Sequence, residues 1–358
     1  MYIKNLTLKN FRSWKNYSFD FTPGVNVILG PNASGKTNVL EALYFLSSSK
    51  SFRAEKTSQA INWDSNQSQI SCQISNNENA QLGITLLQGE GQIQKSFLIN
   101  KKGETRKKFL QQLQSVVFRP EDIRMITGSP SKRRQFLDLL LVNVDWQYRQ
   151  SLRNYNKALK QRNQLLDLIR EGMANKRELF FWDQSLVKNG QLITDKRREV
   201  IYFFNNFLLH HPIEYVSNIS IKYLPVPISS TLLENSYSLD LRRGSTSHGP
   251  QKDDFRFQSS EFPEKDNDLA YFASRGQQRL GILAFKLAEI AYVKLKTNQS
   301  PILLLDDVFS ELDEEHQKVI LDLKTDSQIF ITTTHLIKDK FWNNLIKTEI
   351  SCLTKPDR

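Results

Sequence analysis

A short stretch between two apolar runs constrains this chain more than any other feature. The sequence ILGPNASGKTNVLEALYFL begins at Ile28, and its residues from Gly30 to Thr37 match the pattern G-x-x-x-x-G-K-[ST]. An apolar run precedes the match, and apolar residues at helical spacing follow it. The stretch therefore predicts a strand, a glycine-rich loop and a helix, in that order.

This loop has the composition of a phosphate-binding site. Its glycines let successive backbone N–H groups point at phosphate oxygens, and the positive end of the following helix dipole adds to the attraction. We expect Lys36 to neutralise the β and γ phosphates of a nucleotide and Thr37 to hold Mg²⁺. A chance glycine-rich turn is the alternative. The predicted nucleotide contacts are Gly30, Pro31, Asn32, Ala33, Ser34, Gly35, Lys36 and Thr37.

Two adjacent carboxylates follow a second apolar run. The four residues from Ile302 to Leu305 suit a buried parallel strand, and Asp306 and Asp307 come directly after them. We expect Asp306 to be a Mg²⁺ partner, either directly or through a bound water, and Asp307 to act as the general base that poises the attacking water. Two capping carboxylates in a strand-to-helix loop are the alternative.

Ser274, Gly276 and Gln277 stand at the start of a strongly helical stretch. A serine followed by glycine at a helix start is an ordinary N-cap. An exposed helix N-terminus of this composition is also an anion site, suited to grip a γ phosphate bound by another subunit. Both interpretations stay open, and the spacing in the chain favours the second.

Length and charge limit the domain number and the partners. A chain of 358 residues fits two domains or one domain with an insertion, and a tract poor in glycine and proline from about Ser131 to Phe207 predicts that the insertion is helical. A net charge of +11 favours an anionic polymer or a membrane surface as partner. The two distant cysteines and the lack of an apolar leader or span predict a cytoplasmic protein without a membrane partner.

Two basic clusters are the candidate nucleic-acid contacts. They would engage phosphates without base specificity, and a merely solvated face is the alternative. The first cluster contains Lys101, Lys102, Arg106, Lys107 and Lys108, and the second contains Lys132, Arg133 and Arg134. The tryptophans are expected in the core or at a lobe interface, and they are Trp14, Trp63, Trp146, Trp182 and Trp342.

The order of these motifs resembles that of an ABC-type ATPase. GPNASGKT, SRGQQR, ILLLDD, SELD and TTTH correspond to Walker A, signature, Walker B, D-loop and switch histidine. NFRSW at residues 10–14 and VVFRPEDIRMITGSPSKRRQFLD at 116–138 resemble the RecF family closely, and the resemblance covers essentially the whole chain. Transporters and full SMC proteins share the first set of motifs but lack the second.

The resemblance implies an α/β fold, an ABC/SMC-type P-loop ATPase head with a mixed β-sheet core and an inserted, largely helical second lobe. Lobe I would comprise residues 1–118 and 281–358, and lobe II residues 119–280. The resemblance also implies ATP and Mg²⁺ as cofactors, an ATP contact from Arg12 and sensing of the γ phosphate by His335. It also implies that Ser274, Gly276 and Gln277 act across a dimer.

The implied function is recombinational DNA repair and replication restart after DNA damage, including the SOS response. RecF-like proteins form ATP-dependent homodimers, bind double-stranded and single-stranded DNA with a preference for gapped or junction DNA, and work with RecR and RecO to load recombinase. The resemblance implies a weak, DNA-stimulated ATPase. One departure is notable: where family members commonly have GPHRDD, this chain has Gln251 and Lys252 in place of the histidine and arginine.

Two alternatives stay open. The first is the ATPase subunit of a membrane transporter, which shares the general motifs. The second is a nucleotide-gated DNA-binding switch with negligible hydrolysis. It is suggested by Asp307, whose side chain is one methylene shorter than the glutamate that ABC enzymes usually have there. A shorter side chain places the base farther from the attacking water, which slows hydrolysis when positioning is critical.

Overall fold

The computed structural model describes residues 1–75, 79–90, 92–211, 219–262, 267–308, 326–334 and 346–349. The chain divides into two compact units, the first comprising Met1–Asp122 with Val293–Arg358 and the second comprising Ile123–Tyr292. The borders between these units lie after residues 122 and 292. The lobe borders expected after residues 118 and 280 stay a prediction.

The first unit contains two β-sheets. The strands of the antiparallel sheet are β1 (Tyr2–Phe11), β2 (Trp14–Asp20), β4 (Gln67–Ser75), β5 (Ala80–Gln88), β6 (Ile93–Ile99) and β7 (Lys102–Glu104). Their order is β2-β1-β4-β5-β6-β7. The strands of the parallel sheet are β3 (Val25–Leu29), β8 (Ser115–Phe118), β11 (Ile302–Leu305), β12 (Ile329–Thr333) and β13 (Ile346–Glu349). Their order is β13-β3-β12-β11-β8.

The apolar alternation of β1 has one irregularity, which lies where its pairing with β4 shifts. Leu6 and Leu8 are fully buried at the expected period of two. Ile3 is fully buried as well, and the register shifts between Ile3 and Asn5. A bulge lets an extra residue enter one strand, so Ile3 reaches the same face in spite of its odd spacing.

The helix that follows the glycine-rich loop is internal. α1 (Lys36–Ser48) contacts β1, β4 and β5 of the antiparallel sheet and β8 and β12 of the parallel sheet. All its residues from Val39 onward are buried, which is the pattern of a helix covered on every side. A short helix, α2 (Arg106–Leu110), also contacts it. The loop before α1 is thereby attached to a buried helix that contacts both sheets.

The second unit is largely helical, as predicted. Its helices are α3 (Arg124–Thr127), α4 (Pro130–Val144), α5 (Trp146–Arg170), α6 (Leu179–His210), α7 (Ser230–Asn235), α8 (Tyr237–Arg243), α9 (Leu269–Phe272) and the part of α10 (Arg275–Thr297) that ends at Tyr292. β9 (Ile219–Leu224) and β10 (Asp254–Ser259) pair antiparallel. The α/β fold class is thus confirmed. In the described residues, no helix is long and apolar enough to cross a membrane.

Two buried arginines tie the second unit together. Arg162 on α5 binds Asp183 on α6 at 2.6 Å and Asp240 on α8 at 2.8 Å. Arg197 on α6 binds Asp138 at 2.7 Å and Asp253 at 2.9 Å. Since a guanidinium presents five donors, each arginine joins segments that are far apart in the sequence.

The segment that departs from the RecF pattern is part of this polar interior. The amide oxygen of Gln251 accepts a hydrogen bond from the Tyr155 hydroxyl. Its amide nitrogen donates to the carbonyls of His248, at 2.9 Å, and Thr246, at 3.3 Å. Lys252 is exposed. Gln251 therefore has a structural role here, joining α5 to the loop that precedes β10.

Candidate nucleotide-binding site

The residues from Gly30 to Gly35 connect β3 to α1, and Lys36 and Thr37 begin the helix, as predicted. Ala33 and Gly35 have left-handed backbones, with φ of 64° and 94°. A Cβ atom on Gly35 would lie 3.1 Å from Nε1 of the buried Trp14, so both the backbone angle and the indole ring require glycine. Left-handed residues among right-handed ones turn successive N–H groups toward one point, which forms an anion-binding concavity.

Two side chains of the loop support an anionic ligand. The Ser34 hydroxyl is buried and has no hydrogen-bond partner among the described residues. Lys36 is buried too, and its Nζ donates to the carbonyls of Gly30 at 2.7 Å and Pro31 at 2.8 Å. Burial lowers the pKa of Lys36, while the charges of Asp307 and Asp306 act in the opposite direction. A phosphate in the loop would supply the acceptors that both groups need.

The residues expected to hold Mg²⁺ lie together. Thr37 Oγ1 donates to Asp306 Oδ1 over 2.9 Å. Adjacent ligands of an octahedral Mg²⁺, each about 2.0–2.1 Å from the ion, are also about 2.9 Å apart. The described residues hold no cluster of three or more His, Cys, Asp or Glu side chains suited to a metal. These two oxygens therefore fit Mg²⁺ that takes its other ligands from phosphate and water, which is the usual magnesium site of nucleotide enzymes.

One threonine hydroxyl contacts the carboxylate of Asp306 and the backbone of Asp307. Thr332 Oγ1, at the carboxyl end of β12, donates to Asp306 Oδ1 over 2.8 Å and accepts the backbone N–H of Asp307 over 2.9 Å. Asp307 has a left-handed φ of 50°, a region that aspartate tolerates better than most residues. Burial raises the pKa of Asp306, against the effect of its two hydroxyl donors. Sequence reasoning did not single out Thr332, although TTTH contains it.

Arg12 lies in the wall of the same site, but its guanidinium is largely engaged. It donates to both carboxylate oxygens of the fully buried Glu41, at 2.9 and 2.6 Å. Ser51 also donates to Glu41, at 2.5 Å. The predicted ATP contact of Arg12 remains a proposal, which would use the N–H groups that point away from Glu41.

These residues line one cleft of about 1030 Å³. Its wall contains most of the glycine-rich loop, Arg12, Asp307 and Thr332, together with residues between Arg53 and Asp64. Pockets for small molecules commonly have volumes of about 300–1,000 Å³, so the cleft is large enough for a nucleoside triphosphate. All of these residues belong to the first unit.

The predicted signature residues belong to the second unit. Ser274 is exposed, its Oγ accepts the N–H of Gln277 at 3.2 Å, and Oε1 of Gln277 accepts the N–H of Ser274 at 2.9 Å. The two residues form a reciprocal capping box at the start of α10, with Gly276 in its first turn. The ordinary N-cap interpretation is therefore correct, and it leaves the serine hydrogen available to a phosphate. The D-loop, Ser310 to Asp313, and His335 lie outside the described residues.

The second basic cluster does not form a continuous DNA-contact surface. Arg133 is buried, forms a bidentate pair with Asp254 at 2.6 and 2.9 Å and donates to the carbonyl of Gly128 at 2.7 Å. Its assignment to DNA was wrong, because binding a phosphate would leave Asp254 uncompensated. Arg134 is half-buried and donates to the Asp253 carbonyl at 2.8 Å, while Lys132 is exposed.

The first basic cluster is more accessible. Lys101, Lys102 and Lys107 are exposed, and Lys108 is exposed beside Glu104 at 3.3 Å. Arg106 is attached to the end of α1, since it donates to the Ser49 hydroxyl at 2.6 Å and to the Ser48 carbonyl at 3.3 Å. The lysines of this cluster keep their expected role as a proposal, whereas Arg106 has a structural partner already.

The tryptophans differ in burial. Trp14 is in the core, as expected. Trp63 and Trp146 are 100% and 56% exposed, so the core assignment was wrong for both. Trp182 is half-buried, and Trp342 lies outside the described residues.

Comparisons with known proteins agree with this geometry. The family model "RecF/RecN/SMC N terminal domain" matches residues 2–348. A protein of Natranaerobius thermophilus named "DNA replication and repair protein RecF" is 34% identical over 361 residues, which cover 94% of this chain and 92% of that protein.

Two solved structures are similar over nearly the whole chain. One, described as the recombination mediator protein RecF-ATPrS in the RecFOR pathway, has a TM-score of 0.84 and 29% identity and covers 98% of this chain and 96% of its own. The other, RecF-ATP of the same pathway, has a TM-score of 0.81 and 31% identity and covers 95% of this chain and 93% of its own.

Proposed function

This chain belongs to the RecF family of DNA replication and repair proteins, and we propose that it acts as a recombination mediator that assembles on DNA as an ATP-dependent homodimer. The chain is an ATPase of the SMC-like type. Membership in this family over the full length decides against the transporter-subunit alternative. The observation that carries the proposal is the cleft lined by the P-loop and Asp307, with Asp306 hydrogen-bonded to Thr37 of that loop.

The P-loop and the two adjacent carboxylates have distinct tasks in hydrolysis. The loop N–H groups and Lys36 bind the phosphates, and Thr37 with Asp306 would hold Mg²⁺. Asp307, fixed through its backbone by Thr332, would take the proton of the attacking water. Bound Mg²⁺ neutralises the charge that develops on the phosphate oxygens.

The homodimer is supported by the signature residues. Ser274 and Gly276 lie at the exposed start of α10, a helix of 23 residues. This start belongs to the second unit, whereas the P-loop belongs to the first. The capped serine can still donate its hydrogen, and the helix dipole favours an anion. We assign these groups to the γ phosphate held by a partner chain, so that hydrolysis is slow until two heads meet.

DNA and the partner proteins complete the proposal. The related structures are described as parts of the RecFOR pathway, which supports RecR- and RecO-like proteins as partners. Gapped or junction DNA, with both single-stranded and double-stranded parts, is the proposed substrate, and the cytoplasm is the proposed compartment. DNA is expected to stimulate hydrolysis by bringing two heads together.

Light scattering with ATP and Mg²⁺, with and without a gapped duplex, tests the dimer. The wild type is expected to double in mass with ATP and to stay on DNA, whereas Lys36→Arg and Ser274→Arg stay monomeric. Ser220→Arg is the matched control, because it adds the same charge at an exposed site of the second unit. A wild type whose mass does not change with ATP, or a Ser274→Arg variant that dimerises like the wild type, would contradict the proposal.

A triple variant tests the DNA contacts. Replacing Lys101, Lys102 and Lys107 with alanine is expected to weaken DNA binding and to lower the salt slope of the binding constant by about 3, which is about one unit for each phosphate that the variant no longer binds. Filter binding between about 50 and 200 mM salt measures that slope.

A second triple variant controls for net charge. Lys157, Lys160 and Lys188 are exposed lysines of the second unit, and their replacement removes the same charge. An equal fall in the slope for this control would show that the first cluster has no special role.

A further inference from the structure

Trp63 is completely exposed, although it lies in the wall of the nucleotide cleft. A large aromatic side chain left in water forgoes the hydrophobic stabilisation that burial would give. Exposed aromatic residues that line a cavity are characteristic of binding sites. What distinguishes Trp63 from the other exposed aromatic residues is its place in the wall of the cleft, where an occupant would cover it.

The turn that carries Trp63 is fixed at both ends. On the N-terminal side, Ile61 pairs with Phe11, and the N–H of Asn62 donates to the Asn10 carbonyl at 2.8 Å. The Asn62 side chain also donates to the Arg12 carbonyl at 2.6 Å.

The C-terminal side of the turn is held by the same asparagine and by β1. The N–H of Asp64 donates to Asn62 Oδ1 at 3.1 Å, and the N–H of Ser65 donates to the Asn62 carbonyl at 3.1 Å. Asn10 donates from its side chain to the Ser65 hydroxyl at 3.1 Å. The backbone of Trp63 is thus held before any ligand arrives, which lowers the entropic cost of binding.

The chemistry of the cleft separates its two parts. The P-loop, Asp307 and Thr332 provide the charged and polar groups that suit phosphates and Mg²⁺. The rest of the wall includes the segment between Arg53 and Asp64, and Trp63 is the only aromatic side chain among the described residues that line the cleft. A nucleotide whose phosphates lie in the P-loop would therefore place its base against this segment.

We infer that Trp63 is the stacking platform for the nucleobase of the bound nucleoside triphosphate. This inference rests on the proposed binding of ATP at the P-loop. The indole ring offers its face to the base, and base–aromatic stacking is sequence-tolerant because every base has a π-face. The platform accordingly strengthens binding of ATP and GTP alike and contributes nothing to binding of the phosphates alone.

Three ligands and three variants test the platform. The affinities for ATP, GTP and inorganic tripolyphosphate are measured by calorimetry with Mg²⁺. Trp63→Ala is expected to weaken ATP and GTP about tenfold, which equals about 1.4 kcal/mol, and to leave tripolyphosphate unchanged. Trp63→Phe should restore most of the loss. Trp146→Ala, at another exposed tryptophan, should match the wild type.

Intrinsic fluorescence gives an independent readout. ATP should quench part of the tryptophan emission of the wild type and of Trp146→Ala, and the quench should be absent from Trp63→Phe. Tripolyphosphate should cause no such quench in any of them, since it has no base.

The possible failures are distinct. Unchanged ATP affinity in Trp63→Ala would overturn the inference, and so would an equal loss for ATP and tripolyphosphate, which would indicate a collapsed wall. Unchanged ATP affinity together with an absence of ATP-dependent dimerisation would assign Trp63 to a contact between subunits instead. If the wild type bound neither ATP nor tripolyphosphate, the proposed function itself would fail.

Discussion

Replacing Asp307 with asparagine is expected to lower ATP turnover by about 10²–10⁴-fold, the usual contribution of a general base, with little change in ATP affinity. The amide has nearly the shape of the carboxylate, so the left-handed backbone and the hydrogen bond to Thr332 can persist. What is lost is the ability to accept a proton. Single-turnover hydrolysis of ATP, measured on DNA to favour the dimer, would give the rate of the chemical step.

Asp64→Asn is the matched control for this experiment. Asp64 lines the same cleft, but its exposed side chain pairs loosely with Lys15 at 3.4 Å. Its variant should hydrolyse ATP at the rate of the wild type. If Asp307→Asn also keeps that rate, Asp307 is not the base. A wild-type rate that is itself negligible would make the nucleotide-gated switch the better description of this chain.

The sequence predicts the centre of the site well because its determinants are local. The glycine-rich loop must follow a strand and precede a helix, and the structure has β3 and α1 in those places. The run Ile302 to Leu305 is apolar throughout, since it forms an internal strand between β12 and β8. Parallel pairing then brings the ends of β3, β12 and β11 to one edge, where Lys36, Thr332 and Asp306 meet.

Other features could not be predicted, because they depend on contacts between distant segments. Arg133 stands in a run of three basic residues, and nothing in that run shows that Asp254, on β10, pairs with it. Trp63 lies two residues after the buried Ile61, but its turn is tied to β1 and leaves the indole in solvent. Thr332 has its role because β12 lies beside β11. In each case the segment that the residue contacts in the fold, and not the residue type, decides its burial and its role.

The second large effect concerns the buried ion pairs of the second unit. Arg162→Met is expected to lower the free energy of unfolding of the second unit by about 3–5 kcal/mol. Arg162 and Asp240 are 1% and 0% exposed, so the variant leaves a carboxylate in the interior without its counter-charge. Urea denaturation followed by circular dichroism measures the loss, provided that the transition of this unit is resolved.

Two further variants separate the effect of charge pairing from the effect of packing. Arg198→Met removes an arginine from the exposed pair with Asp195, where the side chains are 59% and 65% exposed, and should cost at most about 1 kcal/mol.

The double variant Arg162→Met with Asp240→Asn should be more stable than the sum of the two single changes predicts, because the uncompensated carboxylate is gone. Strict additivity would mean that Arg162 stabilises the helices by filling space, and that its charge is not what joins α5 to α8.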